Sequence, residues 1–416
     1  MIMSCVKSKS IMYLSAYIAA ALASAAFAPA LVRAEPVSED TRPYLAVEAS
    51  YTADGFWNAS GGLEQQGTYL DLVEISADFD LGRALQSRDL LAHLSLIHTN
   101  GTELTKHVGD AMVVSNIEAV DHPTVFEAWL DWGIDTAGRW SLRTGFYDLN
   151  SEFDTTESRG LFLNSAYGIG QEIAQTGEYG PSIYPVTSLG ARIAWQPRDP
   201  WAIRLAVLDA VPGESDDIEG SRWHLSKSEG ALCVMEVATA LGAFSQVSVG
   251  HWRYTAEFTE LLAGPSETEP ASNNDNSGTY VTAEFGPRRP ASGNGVDWSG
   301  FVRAGTANER INVFARHVAA GINLAAPWPR NSGSQLGLAA AEARLGDDYR
   351  TLRRSEGNPA APFERNVELT WRIPLGEHVM LQPDLQFVVN PGGERNIPDA
   401  WVVGLRVELR ASGSRQ

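Results

Sequence analysis

The sequence predicts an all-β protein: a transmembrane, antiparallel, up-and-down β-barrel of about sixteen strands, with a long inward-folded loop after strand 5. Three observations predict this class. Apolar and polar side chains alternate with a period of two residues in short segments along the whole chain. The connections between these segments are alternately long and short. The polar face of many segments carries charges, which indicates that one side of the sheet meets water and the other lipid.

The first 34 residues have the features of a secretory signal peptide. Lys7 and Lys9 precede an Ala-rich apolar run, which ends at the small-x-small sequence Val32-Arg33-Ala34. An uncleaved membrane anchor is the alternative, but Pro29 and Arg33 interrupt the apolar run. We therefore expect residues 1–34 to be removed and residues 35–416 to form a single barrel domain.

Charge and cysteine content narrow the class further. The formal charge is −19, and removal of Lys7, Lys9 and Arg33 takes it to −22, so nucleic acid is not expected as a partner. Cleavage would also remove Cys5 and leave Cys233 as the single cysteine, so the fold must form without an internal disulfide. Beyond the signal there is no apolar run of about eighteen residues.

Sixteen candidate strands follow in the mature chain. Their sequences are YLAVEASYT, TYLDLVEISADF, LLAHLSLIHT, VFEAWLDWGI, RWSLRTGFYD, SLGARIAWQ, WAIRLAVLDA, GALCVMEVAT, FSQVSVGHWRYT, TYVTAEFGP, DWSGFVRAGT, NVFARHVAAGINL, SQLGLAAAEARL, RNVELTWRI, HVMLQPDLQFV and AWVVGLRVELR. An even number of strands closes a barrel whose termini lie on the same side.

The predicted connections alternate in length. Those after odd-numbered strands are mostly long, at 53–65, 101–123, 148–186, 211–228, 255–277, 345–363 and 389–399. Those after even-numbered strands are mostly short, and the tightest are 137–138, 197–200, 241–243 and 375–376. The exceptions are 307–310, which should be long, and 81–89, which should be shorter. Alternation of this kind is typical of a barrel with periplasmic termini and extracellular loops.

The cost of placing a charge in lipid decides which face of each strand points outwards. In RNVELTWRI, apolar residues alternate with Asn366, Glu368, Thr370 and Arg372. Turning Arg372 towards lipid would cost about 2 to 4 kcal/mol near the bilayer midplane, so we expect the apolar set to face outwards. The tryptophans at strand ends, Trp140, Trp195, Trp201 and Trp401, would form an interfacial girdle.

Several longer motifs resemble the carbohydrate-selective porins of the bacterial outer membrane, the OprB type. The motifs are GFYDLNSEF at 145–153, LFLNSAYG at 161–168, GPSIYPVTSLGAR at 180–192, LDAVPG at 208–213, LQPDLQFVVNPGG at 381–393 and VVGLRVEL at 402–409. The resemblance extends over essentially the whole mature chain. It implies a sixteen-stranded outer-membrane barrel, a monomer or a homotrimer surrounded by outer-membrane lipid, that lets small sugars diffuse through without a cofactor or chemistry. The continuation RASGSRQ after Leu409 departs from the aromatic ending usual in porins.

Selectivity for a neutral, hydroxyl-rich solute needs a narrow place lined by hydrogen-bonding side chains and aromatic faces. The long connection after strand 5 folds into the lumen in sixteen-stranded porins and is the natural candidate. We expect the constriction to comprise Asp148, Asn150, Glu152, Phe153 and Asn164 on this connection, facing Arg143 and Arg192 on the flanking strands. The alternative is that Asp148 and Asn150 only cap the turn, and that Arg143 only holds the loop by pairing with a carboxylate.

Other inward residues are expected to line the lumen wall. These are Glu127 and Asp131, which would set a transverse field opposite Arg143, and a solvated set of Gln382, Asp384, Gln386 and Arg406. The scattered histidines do not predict a metal site, and no nucleophile or phosphate-loop motif predicts an enzyme.

Three functions remain open at this point. Passive carbohydrate transport through an outer-membrane porin ranks first. A general or cation-preferring diffusion porin is second, and the acidic mature chain would also suit it. A secreted, soluble, β-rich polysaccharide-binding protein is the third.

Overall fold

Sixteen antiparallel strands close into one barrel in the described part of the chain, and each strand is hydrogen-bonded to its neighbours in sequence. The computed structural model describes residues 43–415 apart from 87–88, 102–103, 214–228, 264–271, 274, 287–296 and 326–332. The predicted signal peptide, residues 1–34, lies outside these residues. The last strand pairs with the first from Leu45↔Arg415 to Ser60↔Trp401, which closes the barrel.

The strand bounds agree with the alternation in the sequence. The strands are β1 Leu45–Ser60, β2 Gly67–Asp80, β3 Leu90–Gly101, β4 His122–Gly133, β5 Trp140–Tyr147, β6 Ser188–Trp195, β7 Ala202–Asp209, β8 Ala231–Leu241, β9 Phe244–Tyr254, β10 Ser277–Phe285, β11 Asp297–Ala307, β12 Phe314–Ala325, β13 Gln335–Leu345, β14 Phe363–Pro374, β15 Val379–Val389 and β16 Ala400–Arg415. All sixteen predicted strands are present, and the predicted antiparallel barrel of sixteen strands is confirmed. The inward fold of the long loop after strand 5 stays a prediction.

Helices are short and lie in the connections. The α-helices are α1 Leu81–Ala84, α2 Thr105–Val108, α3 Gln171–Ala174 and α4 Asp347–Ser355, and 3-10 turns occupy Leu149–Ser151, Glu157–Leu161, Ser165–Tyr167 and Pro391–Gly393. A two-residue ladder joins Phe258–Thr259 to Ser272–Asn273. Among the described residues, no helix is long and apolar enough to cross a membrane.

The barrel has a polarity opposite to that of a water-soluble protein. Along β14, the Glu368 side chain is fully buried, whereas its neighbour Leu369 is 42% exposed. Along β16, Arg406 is 7% exposed and Val403 is 45% exposed. An apolar outer face and a polar inner face are stable when lipid surrounds the sheet, because the closed ladder leaves no backbone group unpaired in the hydrocarbon.

Connection lengths follow the predicted alternation with one correction. β1 continues to Ser60, so the first connection is 61–66 rather than 53–65. The connection after β11, residues 308–313, is also short, as the sequence indicates. The turn at 81–89 is longer than the other tight turns because it contains α1.

The segment after Leu409 is part of the barrel wall. Residues 410 to 415 continue β16, and Ala411 and Gly413 lie opposite Ala49 and Val47 of β1. The continuation that differs from the usual porin ending therefore supplies the ladder partners of the first six residues of β1.

Aromatic residues mark both rims of the outer face. Trp57 and Trp401 lie at the end that carries the long connections, whereas Trp132, Trp140, Trp201 and Trp298 lie at the end with the short turns, and all six are 36–53% exposed. The Trp140 and Trp195 rings stack with centroids 5.1 Å apart. Indole rings at these two levels are typical of the boundaries between lipid and water.

Candidate functional site

The connection between β5 and β6, residues 148–187, contains two side-chain caps, one of them at its first residue. Asp148 accepts a hydrogen bond from the backbone N–H of Asn150 at 2.8 Å, which caps the turn Leu149–Ser151. Asn164 accepts one from Ala166 at 3.0 Å, which caps Ser165–Tyr167. These short side chains satisfy backbone donors that a short turn leaves without a partner. The connection therefore folds into compact turns.

Inward carboxylates of four separated strands hold the backbone of this connection. Each accepts one or two backbone N–H groups, which gives these buried donors a partner. The pairs are Asp148 with Glu127 of β4 (3.0 Å), Asp154 with Glu236 of β8 (3.0 Å), Ser158 with Glu284 of β10 (2.6 Å), and Leu163 and Asn164 with Glu368 of β14 (2.7 and 2.9 Å). Glu236 and Glu284 were not predicted in this role from the sequence. The pattern that could have indicated them is the position of each glutamate on the polar face of its strand.

A buried ion cluster joins the same connection to β11. Arg303 donates to Asp154 at 2.7 Å and to Glu172 at 2.6 Å, and all three side chains are fully buried. Asp154 also receives a hydrogen bond from Arg159 at 2.9 Å. Burial alone would raise the pKa of Asp154, but Arg303 and Arg159 outweigh burial and hold that pKa at about 2. Asp154 is therefore ionised at neutral pH and tightly paired.

A second charged cluster lies where the connection leaves the barrel wall. Arg192 donates to Glu152 and to Asp131, at 2.7 Å each, and Arg143 donates to Asp131 at 3.0 Å. Burial would raise the pKa of Glu152, but the charges of Arg143 and Arg192 hold it at about 2. The structure thus brings together four of the residues that the sequence analysis singled out, on β4, β5, β6 and the connection.

Planar side chains stack beside this cluster. The Arg143 guanidinium lies 3.7 Å from the centroid of the Trp129 ring, and His93 stacks on Trp129 with centroids 4.8 Å apart and an interplanar angle of 13°. His93 Nδ1 lies 2.7 Å from Asp78 Oδ1, and the Asp78 side chain is 58% exposed. His93 and Trp129 were not among the residues predicted from the sequence. Trp129 alternates with Glu127 and Asp131 on the polar face of β4, which is the signal that was available.

Carboxyl groups at the start of the connection influence each other. Burial, together with the nearby charge of Glu127, raises the pKa of Asp148 to about 8. The backbone N–H of Asp148 donates to Glu127 at 3.0 Å, so the two groups are held close together. Asp148 therefore ionises near neutral pH, where most carboxyl groups are already charged.

Some residues expected at the constriction are shielded from solvent. Phe153, Asn164 and Arg192 are 1%, 1% and 2% exposed. Asn164 donates to Gln386 Oε1 at 3.0 Å, and Asn150 donates to the Phe153 carbonyl at 3.1 Å. Phe153, Asn164 and Arg192 are therefore enclosed by protein.

The inward set on β15 and β16 differs from the solvated wall expected of it. Gln382, Asp384, Gln386 and Arg406 are 0–7% exposed because the connections cover them. Gln386 donates to the Val114 carbonyl at 2.9 Å and Gln382 to the Leu161 carbonyl at 2.7 Å. Arg406 pairs with Asp54 at 2.7 Å and also donates to Asn116 at 2.8 Å.

The connection after β3 packs on the one after β5. Asn116 N–H donates to the Leu163 carbonyl at 2.8 Å, and Ser165 N–H donates to the Val113 carbonyl at 2.9 Å. Glu364 of β14 accepts the N–H groups of Ala111 and Met112. Within the described ranges, no group of three or more His, Cys, Asp or Glu side chains could hold a metal ion.

A closed sheet of sixteen strands with an apolar outer face and a polar inner face is the architecture of a porin, a non-enzymatic channel of the outer membrane of Gram-negative bacteria. The model of the carbohydrate-selective porin, OprB family, matches residues 64–410, and the chain belongs to this family.

Relatives and solved structures agree with this assignment. Porin B of Pseudomonas aeruginosa is 21% identical over 403 residues, covering 86% of each chain. A putative porin, QuiX, of Acinetobacter baylyi is 22% identical over 395 residues, covering 87% of each chain. The high-pH structure of Pseudomonas putida OprB superposes with a TM-score of 0.78 at 18% identity, covering 88% of this chain and 94% of that one, and so shares the fold.

Proposed function

We propose that this porin lets small neutral sugars diffuse passively down their gradient, and that residues 148–187 fold into the lumen and narrow it. The observation that carries this proposal is the set of bonds from this connection to inward side chains of β4, β8, β10, β11 and β14. These strands lie around much of the barrel circumference. A segment bonded to all of them would cross the interior.

The passage is then lined by groups suited to a sugar. The carboxylates Asp78 and Glu127 accept hydrogen bonds from hydroxyl groups, and the stack of His93, Trp129 and Arg143 offers planar faces to the C–H surface of a sugar ring. Phe153, Asn164 and Arg192 act indirectly in this proposal, because they hold the connection in place. Asp148, Asn150 and Glu152 set the charge and shape of its first turn.

A matched pair of tryptophans on β4 tests the proposal. In proteoliposomes, Trp129→Ala is expected to lower the swelling rate with monosaccharides relative to the rate with salt. Trp132→Ala should leave this ratio unchanged, because Trp132 is on the outer face and 46% exposed. Arg143→Ala extends the test to the cation of the stack. If Trp129→Ala and Arg143→Ala both leave the ratio of sugar to salt flux unchanged, the stack is not part of the solute path.

A general or cation-preferring diffusion porin is the second candidate, and the acidic side chains of β2 and β4 favour it. Asp78, Glu127 and Asp131 lie together near the stack. Reversal potentials in a KCl gradient and swelling across a series of mono- and disaccharides separate the two functions. A steep fall in rate from mono- to disaccharides with weak ion selectivity supports sugar transport, and strong cation selectivity with a gradual fall supports the alternative.

A further inference from the structure

Three arginines lie close together on the outer face at the rim that carries the long connections. Arg316 of β12, Arg344 of β13 and Arg365 of β14 occupy outward positions one to two residues from the strand end. Arg316 is exposed, and the side chains of Arg344 and Arg365 are 50% and 44% exposed. We refer to these three residues as the rim arginine patch.

The patch holds more positive charge than the chain neutralises. Arg316 lies directly opposite Arg344 in the β12–β13 ladder, and like charges in that position destabilise a strand pair. Glu342 is shared between Arg344, at 3.0 Å, and Arg365. Arg316 forms no ion pair within the described part of the chain. An anion between Arg316 and Arg344 would remove their mutual repulsion.

The patch lies at the border of the surface that meets lipid. Further along the same three strands, the outward residues are apolar: Val318 is 48% exposed, Leu338 is 51% exposed and Leu369 is 42% exposed. A molecule bound to the arginines would therefore have its apolar part against β12, β13 and β14. Lipids of the leaflet on this side have this combination of a charged head and apolar chains.

The charge of the patch contrasts with that of the whole chain, whose formal charge is −19. A chain with a net negative charge repels anionic lipid. The excess of arginine at the lipid-facing rim is therefore a local feature of this rim and not a consequence of a basic chain. Arginine is the side chain best suited to phosphate, because its planar fork donates two parallel hydrogen bonds to the phosphate oxygens.

We propose that the rim arginine patch is a binding site for the phosphorylated headgroup of an outer-leaflet lipid. Arg316 and Arg344 hold the phosphate between them, and Arg365, oriented by Glu342, provides the third positive charge. The lipid chains lie along the apolar strip below the patch. This proposal does not depend on which solute crosses the barrel or on how residues 148–187 are folded.

Native mass spectrometry of the purified barrel tests the proposal, with titrations of bisphosphorylated lipid A, its dephosphorylated form, and inorganic phosphate alone. The Arg316→Gln/Arg344→Gln double variant removes two charges from the patch. Its matched control, Arg139→Gln/Arg198→Gln, removes two charges from turns at the opposite rim. Migration of unheated samples on gels verifies that each variant is folded. The single Arg316→Gln variant serves if the double variant does not fold.

The proposal requires that wild-type and control barrels retain the bisphosphorylated lipid with equal affinity, and that the patch variant binds it about tenfold more weakly or worse. The dephosphorylated lipid should bind all three barrels alike, and higher ionic strength should weaken only the phosphate-dependent binding. Equal affinity of patch variant and wild type, or equal affinity for both lipid forms, overturns the proposal. Saturation by inorganic phosphate at the concentration effective for the lipid would show a site for free anions instead, and also overturns it.

Discussion

Arg303 of β11 offers the sharpest test of how the connection after β5 is held. It lies between Asp154 and Glu172, at 2.7 and 2.6 Å, and none of the three side chains is exposed. Replacing it by methionine keeps an unbranched apolar stem and removes the charge. Removing one partner of a buried ion pair typically costs about 3 to 5 kcal/mol, because the other charge remains buried without compensation.

The cost here falls near the lower end of that range. Asp154 retains the hydrogen bond from Arg159 at 2.9 Å and the N–H of Gly170 at 3.1 Å, so Glu172 is the group left without a cation. A penalty of about 3 kcal/mol corresponds to a change of more than a hundredfold in the population of the docked connection. Backbone bonds to Glu284 and Glu368 remain, so the barrel itself should still fold.

Single-channel recordings and swelling assays would detect the change. Arg303→Met is expected to give larger current fluctuations than wild type and a higher rate for disaccharides relative to monosaccharides. The double variant Arg303→Met/Glu172→Gln should recover part of the wild-type behaviour, because it removes the unpaired charge. Arg198→Met, at an exposed turn position, is the control. If folded Arg303→Met has wild-type current noise and size selectivity, the ion cluster does not hold the connection.

Three further predictions concern the same region. Glu368→Gln should raise the disaccharide rate and lower the thermal midpoint, because the amide NH2 of Gln replaces one of the two oxygens that accept the N–H groups of Leu163 and Asn164, and a buried donor left without an acceptor costs about 1 to 3 kcal/mol; an unchanged rate would contradict this, and Glu377→Gln in a turn is the control. The pKa of Asp148 is raised to about 8, so the folded protein holds this proton more tightly than the unfolded chain does, and the stability that Asp148 contributes is lost as pH rises through 8. Cation selectivity from reversal potentials should therefore increase between pH 7 and 9 in wild type, and Asp148→Asn should abolish that increase. Because its pKa is held at about 2, ionised Glu152 contributes stability that is fully present above the unfolded pKa of about 4.5 and is lost as pH falls through 2. Melting curves should show this loss in wild type. A similar acid dependence in Glu152→Gln would exclude Glu152 as its cause.

Much of the barrel could be predicted from the sequence because a strand pattern is local. In RNVELTWRI, the alternation of Glu368 with Val367 and Leu369 already requires one wet and one apolar face. The order of strands followed as well, since consecutive antiparallel strands joined by short turns pair with each other. The bounds were less accurate at β1, which has eight more residues after Thr52, because Phe56 and Asn58 continue the ladder with β16.

The site was predicted only in part. The grouping of Asp131 with Arg143 was accessible, because both are on the polar faces of adjacent strands and lie opposite each other in the ladder. The stack of His93 on Trp129 was not, because ring orientation depends on side-chain packing across β3 and β4.

The sequence by itself determined the number of strands, their inner and outer faces and the alternation of long and short connections. These properties depend on neighbouring residues, whose spacing is set by the extended backbone. Only the tertiary structure decided which side chains bond to the long connection after β5. Leu163 and Glu368 are 205 residues apart, and neither position has a local pattern that specifies the other. Their hydrogen bond exists because closure of the barrel brings a glutamate on the inner face to a backbone donor that needs an acceptor.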